Sequence, residues 1–401
     1  MNTVPSRPEF IVLTALMISL VAMTTDVMLP ALSLIPLELG QDDPGKGHLV
    51  ISVLFAGFAL GQLVVGPLSD SYGRHPVIHG GYLMFCLGTL LCLFAGSFEM
   101  LLLGRLLQGL GMAGPRIVAV AVVRDGYEGR AMARIMSFVM AVFIIVPAIA
   151  PAIGQLLISL SGWRATFAML LAMAGITWVW FSLRQPETLM PEDRRVLSLR
   201  NIAGGIAEII RTPAAIGFTL CSGIIFGPFL AYLSLAQQIF QNSYDKGEAF
   251  ALWFGAAALA IGAASILNSA LVERWGMRFL SNIALCVVVA SASAFAAFIL
   301  AQGGLPPFAL FMAWLMVTFF CMGLLFGNLN ALAMEPLGHM AGLGAAVIGA
   351  LSTAIAIPVG FVISEIYTGN VTPLVLGFAG AALAVFLVAQ WSSRAAKRQG
   401  A

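Results

Sequence analysis

The chain of 401 residues is 60% hydrophobic and 9% charged, with 42 glycines and a formal net charge of +2. Its mean hydropathy is +0.98, which lies outside the range of soluble domains and defines a polytopic membrane protein. No phosphate-cradling glycine loop, nucleophile–histidine–acid spacing or basic tract interleaved with aromatics occurs, so an ATPase, a hydrolase and a nucleic-acid binder are excluded; no enzyme chemistry and no cofactor is expected.

The apolar runs are long enough for helices crossing a ~30 Å hydrocarbon layer and too long for the ~10-residue strands of an outer-membrane barrel. The first begins near Phe10 and reaches residue 37. That exceeds a signal-peptide core of about 7–15 residues, and no small-residue cleavage pattern follows, so it is predicted to remain as span 1. Further spans are predicted at 48–69, 77–97, 99–123, 133–158 and 164–184. The longest polar stretch, RQPETLMPEDRRVLSLRN at 184–201, reads as a solvated linker with a short amphipathic continuation to Arg211. Six more spans follow at 212–237, 247–270, 279–301, 306–334, 342–366 and 373–392. The expectation is an all-α membrane protein of twelve transmembrane helices in two six-helix bundles, 1–184 and 212–401, joined by a linker at 185–211.

Cations set the orientation, because positive loops stay in the cytoplasm. With the N-terminus inside, the inner segments hold 15 of the 20 Lys and Arg: Arg7, Arg74, Arg124, Arg130, Arg134, Arg184, Arg194, Arg195, Arg200, Arg211, Arg274, Arg278, Arg394, Lys397 and Arg398. Only Lys46, Arg164 and Lys246 fall outside, and Arg105 and Arg116 lie within a span. Both termini and the linker are therefore expected in the cytoplasm.

The five cysteines, Cys86, Cys92, Cys221, Cys286 and Cys321, fall inside apolar runs without a Cys-x-x-Cys pair and read as packing residues. His75 and His79 have the i, i+4 spacing of a helical metal pair, but Pro76 lies between them and Arg74 adjoins. Interfacial histidines are the better reading, and no metal is expected.

The 6+6 layout suggests duplication. GPLSDSYGR, ending at Arg74, aligns with SALVERWGM, ending at Met277, at an offset of 203 residues: Leu68 over Leu271, Asp70 over Glu273, Gly73 over Gly276. The first of these segments resembles the G-x-L-A-D-R-x-G-R loop between spans 2 and 3 of the major facilitator superfamily, with Ser71 and His75 in place of the usual loop cations. Three further segments narrow the resemblance. RLLQG at Arg105–Gly109 is similar to the R-x-x-Q-G signature of span 4. PAIAPAIG, with Pro147, Pro151 and Gly154, is similar to the span-5 motif of the antiporter branch, with Gln155 for its second glycine. TDVMLPAL at Thr25–Leu32 resembles span 1 of its drug exporters. With NALA at Asn330–Ala333 and HMAG at His339–Gly342, the whole resembles the Bcr/CflA branch of drug:proton antiporters.

The resemblance implies that Asp70 faces the start of span 11 near Gly342 and that Arg74 reaches Asp125, which with Gly73 and Glu273 would close the cytoplasmic side in the outward-open state. An aspartate beside a helix start is attractive because that terminus carries roughly half a positive charge. The plainer reading is interface charge that only sets topology.

Within the membrane, Asp26 lies 16 residues into span 1, roughly 24 Å at ~1.5 Å per residue, and Arg105 lies at similar depth from the opposite end of span 4. A lone charge there costs at least ~2.5 kcal/mol, so each is expected to line a cavity or to pair. Burial favours the neutral acid and a guanidinium favours the anion, so a changing balance would let Asp26 carry a proton. Helix packing alone is the alternative. Arg116, 11 residues after Arg105, shares its helix face, and Met23, Gln108, Tyr232 and Asn330 are the other candidates for the cavity lining.

The expectation is a monomeric proton-coupled exporter of small lipophilic drugs or metabolites in the bacterial inner membrane. A same-fold importer or dedicated exporter of one metabolite is the first alternative. A non-transporting membrane sensor is the second, disfavoured by the intramembrane Asp26 and Arg105.

Overall fold

A computed structural model of the chain describes residues 5–127, 129–194 and 197–399. Arg195 lies outside the described residues, as do the side chains of Arg130, Arg134, Arg200, His339, Lys397 and Arg398. The helices are α1 (Arg7–Asp26), α2 (Leu34–Glu38), α3 (His48–Tyr72), α4 (Arg74–Leu93), α5 (Phe98–Gly126), α6 (Gly129–Ser161), α7 (Arg164–Arg184), α8 (Leu199–Arg211), α9 (Pro213–Gln237), α10 (Phe250–Trp275), α11 (Met277–Gln302), α12 (Phe308–Met334), α13 (Ala341–Glu365) and α14 (Thr372–Gln399). No strand occurs among the described residues. Eleven segments are long and apolar enough to cross a membrane, and Ile145–Ser161 of α6 is a shorter apolar stretch. Twelve membrane helices result, α8 being the amphipathic continuation of the linker.

The chain divides into two compact units, Met1–Ile202 and Ala203–Ala401. Each repeats the other's packing. In the first, α1 packs on α5, α6 and α7, while α3 packs on α5 and α4 on α5 and α7; in the second, α9 packs on α12, α13 and α14, while α10 packs on α12 and α11 on α12 and α14. These pairs map one to one if the six long helices of one unit are laid over the six of the other, the pattern expected of an internal repeat. The aligned glycines agree. Gly73 (φ 102°) ends α3 and starts α4, and Gly276 (φ 78°) ends α10 and starts α11. Only glycine enters that left-handed region without strain, so each copy turns between consecutive helices on a single residue.

Span 1 departs from the continuous helix expected at 10–37. Helix α1 stops at Asp26, a 3-10 turn covers Leu29–Ala31, and α2 resumes at Leu34. Pro30 accounts for the break: it has no N–H for the carbonyl four residues back, which is that of Asp26, and its ring crowds the same carbonyl. Irregular backbone at membrane depth is tolerated when buried in protein, and Val27, Met28, Leu29, Ala31 and Leu32 are fully buried.

Candidate functional site

The break in span 1 sets Asp26 at the C-terminal end of α1, where the last carbonyls of a helix have no intrahelical donor. Arg105 supplies donors. Its Nη1 and Nη2 donate to Thr24 O at 3.3 and 3.2 Å, Nε donates to Val50 O at 3.2 Å, and Nη1 also donates to Gln108 Oε1 at 2.8 Å. The guanidinium is fully buried, its carbon 5.9 Å from the centroid of the Phe167 ring. A cation at a helix C-terminus is the favourable end of the macrodipole. Gln108 is held in turn, its Nε2 donating to Thr89 Oγ1 at 2.8 Å, and Thr89 Oγ1 donates to Phe85 O at 2.7 Å.

Asp26 itself is 4% exposed and has no hydrogen bond or ion pair among the described residues. Arg105 and Asp26 are thus brought to the same helix end without an ion pair between them, because the guanidinium is engaged by two carbonyls and an amide.

Opposite the break, the proline-rich segment of α6 packs on the turn of span 1. Pro151 and Gly154 are buried and Pro147 is half-buried. Gly154 lies directly against the Val27 carbonyl.

The loop between α3 and α4 forms a second cluster. Arg74, 4% exposed, donates from Nη1 to Asp70 Oδ1 at 2.7 Å and Ser69 Oγ at 2.8 Å, and from Nε and Nη2 to Asp125 Oδ2 and Oδ1 at 2.8 and 3.2 Å. Arg74 and Asp125 therefore join the start of α4 to the end of α5. Asp70 is engaged locally, i to i+4, by the same arginine. Its equivalent Glu273 is exposed, and Gly342, half-buried, is the second residue of α13 in the other unit.

Sequence reasoning missed Glu187. Its Oε1 accepts the backbone N–H of Arg74 at 2.9 Å and those of Thr188 and Leu189 at 3.0 Å, while Oε2 accepts that of His75 at 3.0 Å. Thr188 Oγ1 adds a bond to Asp125 Oδ2 at 2.8 Å. The linker start thus straps the free N-terminus of α4, where a carboxylate is favoured. Glu9 was missed too: its carboxylate takes both Nε (2.6 Å) and Nη2 (2.7 Å) of Arg184 and the Trp180 indole N–H (3.0 Å), tying the start of α1 to the end of α7. Opposite charges flanking the first and sixth spans, Glu9 and Arg184, were the available signal for that pair. An acceptor of backbone N–H groups leaves none.

Partial burial opposes the charge of Glu187, but the N–H groups of Leu189, His75 and Arg74 outweigh it and hold the carboxyl below the usual glutamate range. A depressed acid contributes stability that is present above its unfolded value of about 4.3 and is lost as pH falls through the folded value. Limited proteolysis of the linker should therefore be slow at neutral pH and accelerate only as pH falls from that unfolded value through the lower folded one. Glu187→Gln should be cleaved faster at neutral pH and lose the acid step, because its Oε1 still accepts but its Nε2 cannot take the N–H that Oε2 accepts in the wild type, and the charge is gone.

Of the other candidates, Tyr232 is fully buried, stacked on Phe254 (5.7 Å) and edge-on to Phe319 (4.7 Å), and Gln108 is fully buried and bonded to Arg105 and Thr89. Met23 is 8% exposed, Arg116 is half-buried and Asn330 is exposed. The organised amide is Asn328, which exchanges bonds of 3.0 and 2.9 Å with Asn268 between α10 and α12.

Two repeated six-helix units of membrane length, with ionic groups deep inside a span, define a polytopic transporter rather than an enzyme. The chain belongs to the Major Facilitator Superfamily, whose model matches residues 14–361. It is 26% identical over 408 residues to the bicyclomycin resistance protein homolog of Haemophilus influenzae, covering 100% of both chains. It is 27% identical over 321 residues to the MFS-type transporter YdgK of Bacillus subtilis, covering 78% of this chain and 79% of that one. The multidrug resistance protein MdtL of Salmonella typhimurium is 34% identical over 172 residues, 42% of this chain and 43% of its own. In fold, the chain is similar to a peptide transporter POT (TM-score 0.74, 15% identity, 99% of this chain and 97% of that one) and to a D-xylose–proton symporter (TM-score 0.72, 13% identity, 94% and 96%).

Proposed function

We propose that this transporter is a proton-coupled exporter of small lipophilic compounds, working by alternating access in the bacterial inner membrane with both termini cytoplasmic. One observation carries the proton coupling. Asp26 is a buried carboxyl without an ion pair, set at an interrupted helix end beside a guanidinium committed to backbone carbonyls. Such a group gains and loses a proton as its surroundings alternate between closed and wet. The direction, export in exchange for protons, is supported by the names of the bicyclomycin and multidrug resistance relatives and by the Pro147–Pro151–Gly154 segment's resemblance to the antiporter motif. The Arg74–Asp70–Asp125 cluster with Gly73 would act as the cytoplasmic latch of the cycle, and Gly342 and Glu273 would belong to the corresponding end of the second unit.

The test uses inverted membrane vesicles with an acid interior and a compound identified by screening an efflux-deficient host. Adding the compound should release protons from the vesicles while the compound accumulates inside, and a protonophore should abolish both. Accumulation indifferent to the protonophore, or movement of the compound in the opposite direction, would reverse the reading.

A further inference from the structure

We infer that Gly154 is the seat that fixes the backbone turn carrying Asp26, and so a positioning residue for proton exchange; this rests on the reading of Asp26 as the proton carrier. Pro30 lacks the N–H that an α-helix would give the Asp26 carbonyl or a 3-10 turn the Val27 carbonyl. The next amide is spent elsewhere, since Ala31 N donates to Met28 O at 2.9 Å. What meets the Val27 carbonyl is the backbone of α6. A Cβ on Gly154 would collide with that oxygen and lie 2.8 Å from its carbon. The Hα in that direction therefore points at the carbonyl, a Cα–H···O contact.

On the other side of Asp26, Arg105 takes the Thr24 carbonyl with two N–H groups. The carbonyls at 24 and 27 are thus each engaged by a different helix, α5 by its guanidinium and α6 by its bare Cα. The turn between them, with Asp26 on it, has little freedom to rotate. Even one methyl group at position 154 must push α6 away or swing the Val27 carbonyl, and the partner is rigid backbone that cannot yield as a flexible side chain does. Gly154 acts through this backbone and does not touch the carboxyl.

Carbodiimide labelling of Asp26, read by mass spectrometry of its peptide in vesicles at fixed pH, tests this apart from transport. The reagent attacks protonated carboxyls in apolar surroundings, so its yield reports on the setting of Asp26. Gly154→Ala should admit water to the turn and lower the yield by at least ~3-fold. Pro30→Ala supplies the missing N–H, draws the carbonyl off Gly154 and should act likewise. The double variant should be no worse than the stronger single, because both act on one carbonyl. Gly80→Ala, where a methyl group meets nothing within 4 Å, should label as wild type. Unchanged labelling in Gly154→Ala would overturn the inference. Should that variant fail to accumulate, unchanged labelling in Pro30→Ala would overturn it instead. Wild-type proton flux in Asp26→Asn, by contrast, would remove the proton-carrier reading while leaving the labelling result to stand on its own.

Discussion

Asp26→Asn should reach the membrane and melt as the wild type does, yet lose all proton-driven accumulation of substrate in vesicles. The expectation of normal folding comes from what Asp26 lacks. It has no hydrogen bond or ion pair to forfeit among the described residues, and a nearly isosteric amide fills the same buried volume. The negative end of the α1 dipole also makes a neutral group at this position no worse than an anion. The loss of transport comes from chemistry, since an amide cannot take up and release a proton at any pH the vesicle reaches. Substrate binding should survive, so equilibrium binding measured beside flux separates a coupling defect from a collapsed site. Flux at the wild-type rate would place the carrier elsewhere.

Arg105→Gln should damage both stability and coupling, and the two effects can be told apart. The Thr24 and Val50 carbonyls would lose their donor in a fully buried place, and an orphaned buried acceptor costs about 1–3 kcal/mol. A loss near 3 kcal/mol for the first unit is expected, visible as a lower melting temperature in detergent. Removing Arg105 also frees the α1 end that carries Asp26, so the pH profile of substrate-driven proton flux should change. Arg105→Lys keeps the charge but loses the planar fork that reaches Thr24, Val50 and Gln108 together. It should therefore melt low while keeping part of the flux. Identical pH profiles in all three proteins would reduce Arg105 to a packing residue.

The spans were legible because lipid imposes a simple demand, ~20 apolar residues per crossing, that composition alone meets. The break in span 1 was written in the sequence as Pro30, but the apolar run continues through it and hydropathy does not register a missing N–H. Asp26, Arg105 and Arg74 could be found because charge is rare in this chain and expensive in this solvent. The packing of Tyr232 was not legible for the converse reason: an amphiphilic ring in an apolar helix looks the same from sequence whatever it packs against, and only the structure sets it on Phe254 and Phe319. Asn328 and Asn330 differ by two residues, which turns an amide from the α10 contact to an exposed face, and only the structure says which is which. Glu187 was hidden most deeply, since its partners are main-chain groups that every residue possesses.

The strap from Glu187 to Leu189 lies wholly within the first unit, while the matching turn at Gly276 has nothing within 4 Å of where a side chain would begin. For anyone dividing the transporter into two co-expressed polypeptides, or grafting a tag or a fluorescent module into the linker, the choice of joint follows. A cut between Met190 and Arg194 leaves the first polypeptide with its own fastening intact. One made a few residues earlier, before Glu187, strips the α4 terminus of its carboxylate and hands that carboxylate to the wrong fragment.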